Sequence, residues 1–251
     1  MGTYATMDAA TLPGYRRAVR VEPQAGAVTA LLEDDLHCMA VRLRHDGSTV
    51  RSVEAFGDRM PWTTCPGAVA ELEGTFAGVP LAQVTARREK QRNCTHLHDL
   101  AVLAAAHAGD RASLEYRVEI SDPRDGERIL QIARDGRPVH RWVERDGLFT
   151  DPPGLAGQSP LTMRDWIGGL SGTEQEAARM LQWTALVAHG RQMTDERRHA
   201  ALGHRPSCYT MQPERAGEAE QLNPIRDFTG REERLLDGLK ERFEAASIRS
   251  S

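Results

Sequence analysis

The chain has 251 residues, 40% of them apolar, and a formal net charge of −4 at pH 7. That length allows one large domain or two small ones, each able to bury a core. A near-balanced charge and an aromatic content of 5% argue against nucleic acid as a partner, since that would favour a strongly basic face and base-stacking platforms.

The opening stretch MGTYATMDAATLPG shows no basic segment followed by an apolar block, so it is expected to be a flexible tail (residues 1–14) and not a signal peptide. Strands follow. YRRAVRVEP (Tyr15–Pro23) alternates, AVTALLEDD (Ala27–Asp35) comes after a Gln-Ala-Gly turn, and two more strands flank His45-Asp46-Gly47, a strong hairpin signal. Met39, Val41 and Leu43 share a face. After Trp62 the apolar period changes from two to 3.6. TCPGAVAELEGTFAG predicts a helix with Thr64 as cap, Pro66 in its first turn and Val69, Leu72 and Phe76 on one face. PLAQVTARREK predicts a short second helix. NCTHLHDLAVLAAAHAG predicts a third, capped by Asn93 or Thr95, with Leu97, Leu100, Ala101 and Ala104 inward and His98 in solvent.

The pattern restarts near Asp110. SLEYRVEISD, RILQIARDG and RPVHRWVERDG predict an antiparallel meander joined by Asp-Gly turns, and LFTDPPGLAGQSP predicts a loop of the kind that covers a site. TEQEAARMLQWTALVAHG predicts a helix with a Thr173/Glu176 capping box and a stop at Gly190. TDERRHAALG predicts a shorter charged helix, and TGREERLLDGLKERFEAASIRSS an amphipathic helix that frays into a Ser-rich tail. The expected organisation is thus α+β: an antiparallel sheet followed by helices over 15–110, a β-meander and helical domain over 111–230, and a C-terminal helix or tail over 231–251.

The longest apolar run, Leu100–Ala108, is far shorter than the roughly 20 residues of a membrane helix. The cysteines Cys38, Cys65, Cys94 and Cys208 form no C-x-x-C pair, so reduced thiols and a cytoplasmic location are expected. No phosphate-binding glycine loop, dinucleotide fingerprint or serine-hydrolase elbow occurs. Nucleotide-driven chemistry, an organic cofactor and a serine nucleophile are therefore not expected.

Reactive side chains gather at three element ends. EDDLHC supplies Asp34, Asp35, His37 and Cys38, TTCPGA puts Cys65 at a helix start, and NCTHLHD brings Cys94, His96 and His98. Helix N-termini lower a thiol's pKa, which would favour Cys65 and Cys94 as thiolates. A single Cys in a first helical turn is equally an ordinary small buried hydrophobe, and Cys38 fits the core. In CYTMQPERA, Tyr209 and Arg215 could orient a phenol or carboxylate, or form a packed strand with a surface Glu-Arg pair. Trp62 is a candidate pocket wall.

Antiparallel strands, then a helix led by Cys, then another led by Cys, resemble the NifU/IscU iron–sulfur scaffold fold over about Tyr15–Gly109. That resemblance implies a metal site at Asp35, Cys65 and Cys94, with EDDLH standing where the scaffolds carry a Cys-Gly-Asp context. The motif order EDDLH, PWTTCPGA, NCTHLHDLA, RDG, CYTMQPERA and RDF resembles a bacterial family of uncharacterised proteins, which implies a link to breakdown of aromatic or other small organic compounds. The leading expectation is a cytoplasmic small-molecule enzyme without organic cofactor, an acid–base carbon–carbon lyase of retro-aldol, formaldehyde-releasing type. Asp35, His37, Cys65, Cys94 and His96 would form its site, with Tyr209, Arg215 and Trp62 binding substrate. The alternatives are a zinc- or iron–sulfur-binding scaffold-like protein using the same five residues, with zinc or iron as its metal, and an interaction module with a structural Cys/His cluster. Expected partners are a small-molecule substrate and a second copy of the chain, not nucleic acid or a membrane.

Overall fold

The computed structural model describes residues 4–87, 89–193, 196, 197, 200, 208–222 and 225–249. Most of the charged helix expected over 194–203, the Gly-His-Arg-Pro turn and the terminal serines lie outside the described residues. Among those described, the protein is mixed α/β, with an eight-stranded antiparallel sheet and seven α-helices. It divides into two compact units that interleave along the chain: residues 1–18, 115–192 and 226–235 (the meander unit), and residues 19–114, 193–225 and 236–251 (the histidine unit). The NifU/IscU likeness is not established by this architecture.

In the meander unit, β5 (Leu114–Ser121), β6 (Glu127–Arg134), β7 (Arg137–Arg145) and β8 (Leu148–Asp151) pair in chain order. Asp125-Gly126, Asp135-Gly136 and Asp146-Gly147 join them, and both residues of each turn have positive φ. That is the signature of two-residue type I′ hairpins, whose twist matches that of the strands, and Asp and Gly are among the few residues that tolerate it. At Gly136 a Cβ would meet no atom within 4 Å, so strain at φ +74° is the whole cost of a side chain there. Gly136→Ala is expected to destabilise the protein by about 1 kcal/mol. Thermal unfolding would then shift down by about 2–4 °C; an unchanged midpoint would contradict the turn assignment.

Three expectations change in this unit. The tail is packed: Ala9 and Leu12 are buried with Ile129, Tyr4 lies against them, and the Arg16 guanidinium donates to the carbonyls of Ala10 and Leu12. LFTDPPGLAGQSP is not a loose cover, because its start is strand β8 and Phe149 and Leu155 are buried. The helix α5 (Gly172–Ala188) begins after Ser171 without a capping box. Thr173 instead accepts from Arg134, and Glu176 accepts from the Tyr116 hydroxyl at 2.6 Å. Tertiary partners outcompeted the local cap.

The histidine unit contains β2 (Ala27–Asp34), β3 (Cys38–His45) and β4 (Val50–Arg59), antiparallel in chain order, with β1 (Gly14–Gln24) preceding them. Every residue of β2 is buried, as expected for a strand covered on both faces. Helices α1 (Ala68–Phe76), α2 (Leu81–Val84) and α3 (Thr95–Ala106) follow as anticipated. The last helix, here α7 (Leu239–Arg249), packs on β3 and β4, while α3 packs on β2 and β3. From α7, Phe243 lies 5.9 Å from Phe56 and under the Arg42 guanidinium at 4.8 Å, and Arg242 reaches the Cys38 sulfur. Cys38 and Arg42 therefore face α7. Because strand side chains alternate, Met39, Val41 and Leu43 face the other way, toward α3.

Candidate functional site

The turn Asp35–His37 links β2 to β3, and α3 lies beside it. Alternation along β2 sends Glu33 to the α7 side, where its carboxylate accepts from the Leu236 N–H at 2.8 Å and from Arg59 at 3.2 Å. It sends Asp34 to the α3 side. There Asp34 Oδ1 accepts from the backbone N–H of Leu36 (2.8 Å) and His37 (2.7 Å) and lies 3.1 Å from His37 Nδ1. The His37 and His96 rings are 3.9 Å apart between centroids and tilted by 31°. One donor atom each from Asp34, His37 and His96 falls within 4.8 Å of the others, and all three residues are buried.

A carboxylate so placed orients the His37 ring. A carboxylate and two imidazoles so grouped can pass a proton, or can offer a carboxylate oxygen and two ring-nitrogen lone pairs to a cation. Arg59, at the end of β4, clamps the turn from behind. It donates to the carbonyls of Asp35 (2.9 Å), Asp34 (2.7 Å) and His37 (3.2 Å) while paired with Glu33. Sequence patterns gave no sign of Arg59, because nothing local ties a residue 22 positions away to the turn.

Of the expected set, His37 and His96 are brought together, but the carboxylate that joins them is Asp34, one residue before Asp35. Asp35 is buried in the turn and its carbonyl is held by Arg59. Cys65 and Cys94 do not belong to this group of donors. They sit instead with Cys208, whose segment crosses both helix entrances: the Tyr209 N–H donates to the Asn93 carbonyl at 2.9 Å, and Cys65 Sγ lies 3.2 Å from Thr210 Oγ1. Cys94, not Asn93 or Thr95, is the N-cap residue of α3, and Asn93 is tied to Thr75 and the Glu89 carbonyl. Thr64 likewise bonds Thr210 and does not cap.

The thiols run against the expected direction. Burial pushes Cys65 up to about 11 and Cys94 up to about 12, the latter helped by the neighbouring thiols, and burial raises Cys208 as well. Desolvation outweighs any help from the helix ends. At pH 8 about one Cys65 in a thousand is a thiolate. Alkylation of native protein by iodoacetamide at pH 8 should therefore be slower than for an unfolded control by about 100-fold or more; rapid native labelling of Cys65 or Cys94 would contradict it.

Tyr209 and Arg215 stack on each other, with the guanidinium 3.9 Å over the ring, and Arg215 also pairs with Glu214 at 2.8 Å. Trp62 is buried and bridges Gln221 through its backbone. His98 is not in solvent: it is buried beside Phe76, and neither ring nitrogen has a hydrogen-bond partner. The reason is that α3 is enclosed on almost every face, so helical spacing does not separate its inside from its outside.

The meander unit has a cavity of about 220 Å³ lined in part by Tyr15, Arg128, Glu144 and His189. Arg128 and Glu144 form a buried two-point pair at 3.0 and 2.7 Å. Burial and the nearby Arg128 charge lower the His189 pKa. The chemistry of this cavity is thus already paired internally.

Among the described residues, no helix is long and apolar enough to cross a membrane. No curated protein matches the chain. Residues 15–109, which carry the Asp34–His37 turn, TCPGA and CTHL but not CYTMQPERA, match the family described as "Protein of unknown function (DUF2889)".

Proposed function

We propose that the protein is a small-molecule enzyme, an acid–base carbon–carbon lyase of retro-aldol type, with Asp34, His37 and His96 at its centre. The observation that carries this reading is the buried carboxylate–imidazole–imidazole group, with Asp34 Oδ1 3.1 Å from His37 Nδ1 and the second ring 3.9 Å from the first. An orienting carboxylate behind a His is the arrangement general-base chemistry requires.

The substrate class is a β-hydroxy carbonyl compound with an aromatic or other apolar body. The apolar part suits a site built on α3, whose Leu97, Leu100 and Ala101 are buried. His37 takes the hydroxyl proton. The oxygen lone pair forms the carbonyl of the departing aldehyde as the bond between the hydroxyl-bearing carbon and its neighbour breaks. That bond's electron pair moves into the adjacent carbonyl, giving an enolate, which regains a proton at carbon from the imidazole pair. Atoms and electrons balance without oxidant or reductant.

An iron–sulfur scaffold reading finds less support, because the cysteines Cys65 and Cys94 stand outside the Asp34, His37 and His96 group. The test is aldehyde release, trapped and measured from a panel of aryl β-hydroxy ketones and aryl β-hydroxy aldehydes. Release from such compounds that is lost in His37→Gln and His96→Gln supports the lyase. Absence of release across the panel, or release unchanged in both variants, sinks it, and the latter would favour a structural cluster in an interaction module.

A further inference from the structure

We infer that Asp34, His37 and His96 form a binding site for one divalent transition-metal cation of the zinc or iron(II) class, with coordination positions left for the two oxygens of a β-hydroxy carbonyl compound. This inference deepens the reading of the same site as a lyase; with a cation bound, His37 and His96 would serve as ligands, and a hydroxyl held on the cation would lose its proton to water instead of to His37. It involves no cysteine, in contrast to the ligand set expected from the sequence.

The geometry supports it first. A cation about 2.1 Å from each of two donors places those donors about 3.0 Å apart at an octahedral angle and about 3.4 Å apart at a tetrahedral one. Asp34 Oδ1 and His37 Nδ1 are 3.1 Å apart. The third donor, from His96, completes a group that lies within 4.8 Å. The three arrive from two directions, the β2–β3 turn and the first turn of α3, so they close around a point rather than line a surface.

Donor chemistry is the second support. Two imidazoles and one carboxylate, without thiolate, suit zinc, iron(II), cobalt or manganese and leave one to three positions open. The two rings, 3.9 Å apart between centroids, bring two ring nitrogens to the same buried place as the Asp34 carboxylate. A bound cation takes up both lone pairs and the Asp34 charge together.

Rigidity is the third. A metal site needs its ligands held by outer partners. Asp34 is fixed by two backbone N–H groups, and Arg59 grips the carbonyls on either side of the ligand-bearing turn. Three protein ligands with open positions mark a catalytic rather than a structural centre. A hydroxyl and a carbonyl two carbons apart can chelate such an ion as a six-membered ring, which would orient the bond to be broken.

The experiment uses the untagged full chain, freed of metal with a chelator and titrated separately with Zn²⁺ and Co²⁺. We expect about one cation per chain, and cobalt absorption bands of a four- to six-coordinate nitrogen–oxygen site without the intense near-ultraviolet sulfur band. Affinity should fall by more than about 100-fold in His96→Ala and in Asp34→Asn, with circular dichroism confirming that each variant is folded. Failure of the wild type to bind either ion overturns the inference, whatever the variants do. Binding that survives in folded His96→Ala and Asp34→Asn, or a cobalt–sulfur band, also overturns it. Stoichiometric binding without aldehyde release would leave the metal site standing and remove the lyase reading. Full release by metal-free protein that binds neither ion would do the reverse.

Discussion

His37→Gln should lower aldehyde release by about 10²–10⁴-fold, the range lost when a positioned general base is removed, while the protein stays folded. Gln fills similar space in the β2–β3 turn, and the backbone N–H of residue 37 still bonds Asp34. What disappears is the imidazole that takes the hydroxyl proton. Asp34→Asn gives an informative comparison. Its side-chain oxygen can still accept from the Leu36 and His37 N–H groups, but the negative charge that orients the imidazole is gone. If Asp34 acts through His37, the variant loses rate and its pH–rate profile moves, whereas a merely structural Asp34 would leave the profile of the residual activity in place. The measurement is the initial rate of aldehyde formation from pH 5 to 9. An active His37→Gln protein with wild-type rates would end the assignment.

Arg59→Met is expected to be the most damaging single change to stability described here. It removes the guanidinium that pairs with the Glu33 carboxylate in a place where that side chain is 3% exposed, and it strips a donor from three carbonyls of the site turn. Breaking a buried ion pair by removing one member costs about 3–5 kcal/mol. For a chain of this size the unfolding midpoint should drop by roughly 6–20 °C. The double variant Glu33→Gln, Arg59→Met should recover part of that loss, because it removes the buried carboxylate charge together with the guanidinium paired to it. The check is thermal and urea unfolding of the two single variants and the double one. Strict additivity would mean that the pair is not coupled and that Arg59 acts through the carbonyls alone.

The sheet was legible where its signals are local. Alternation marks the strands, and each Asp-Gly pair marks a hairpin because few other residues adopt two successive positive φ values. Two members of the buried Asp34, His37 and His96 group were among the candidates read from the sequence. His37 and His96 are recognisable as candidates, but choosing Asp34 over Asp35 requires knowing where β2 ends, since a single position decides which face a side chain takes. His98 was misplaced because α3 is enclosed nearly all round, so the usual contrast between faces is missing. Cys65 and Cys94 drew attention as helix-end thiols, yet their environment is set by burial and by Cys208, more than a hundred residues later. No local pattern encodes that meeting. Arg59 and the Leu236 N–H were invisible for the same reason, as both act across the fold rather than along the chain.

The contribution of α7 to the histidine unit bears on how the chain comes off the ribosome. Domains commonly fold in the order in which they are made. Here Glu33 receives the N–H of Leu236, and the Phe56 ring receives Phe243, so strands translated early keep one face uncovered until residues 236–249 have emerged. The hairpins of β5 to β8 close over two-residue turns and can form while synthesis continues. Nascent chains arrested before residue 236 should therefore leave Phe56 and the Cys38 side of β3 uncovered, among the charged Arg42 and Glu54. That interval is when the protein would depend most on chaperones.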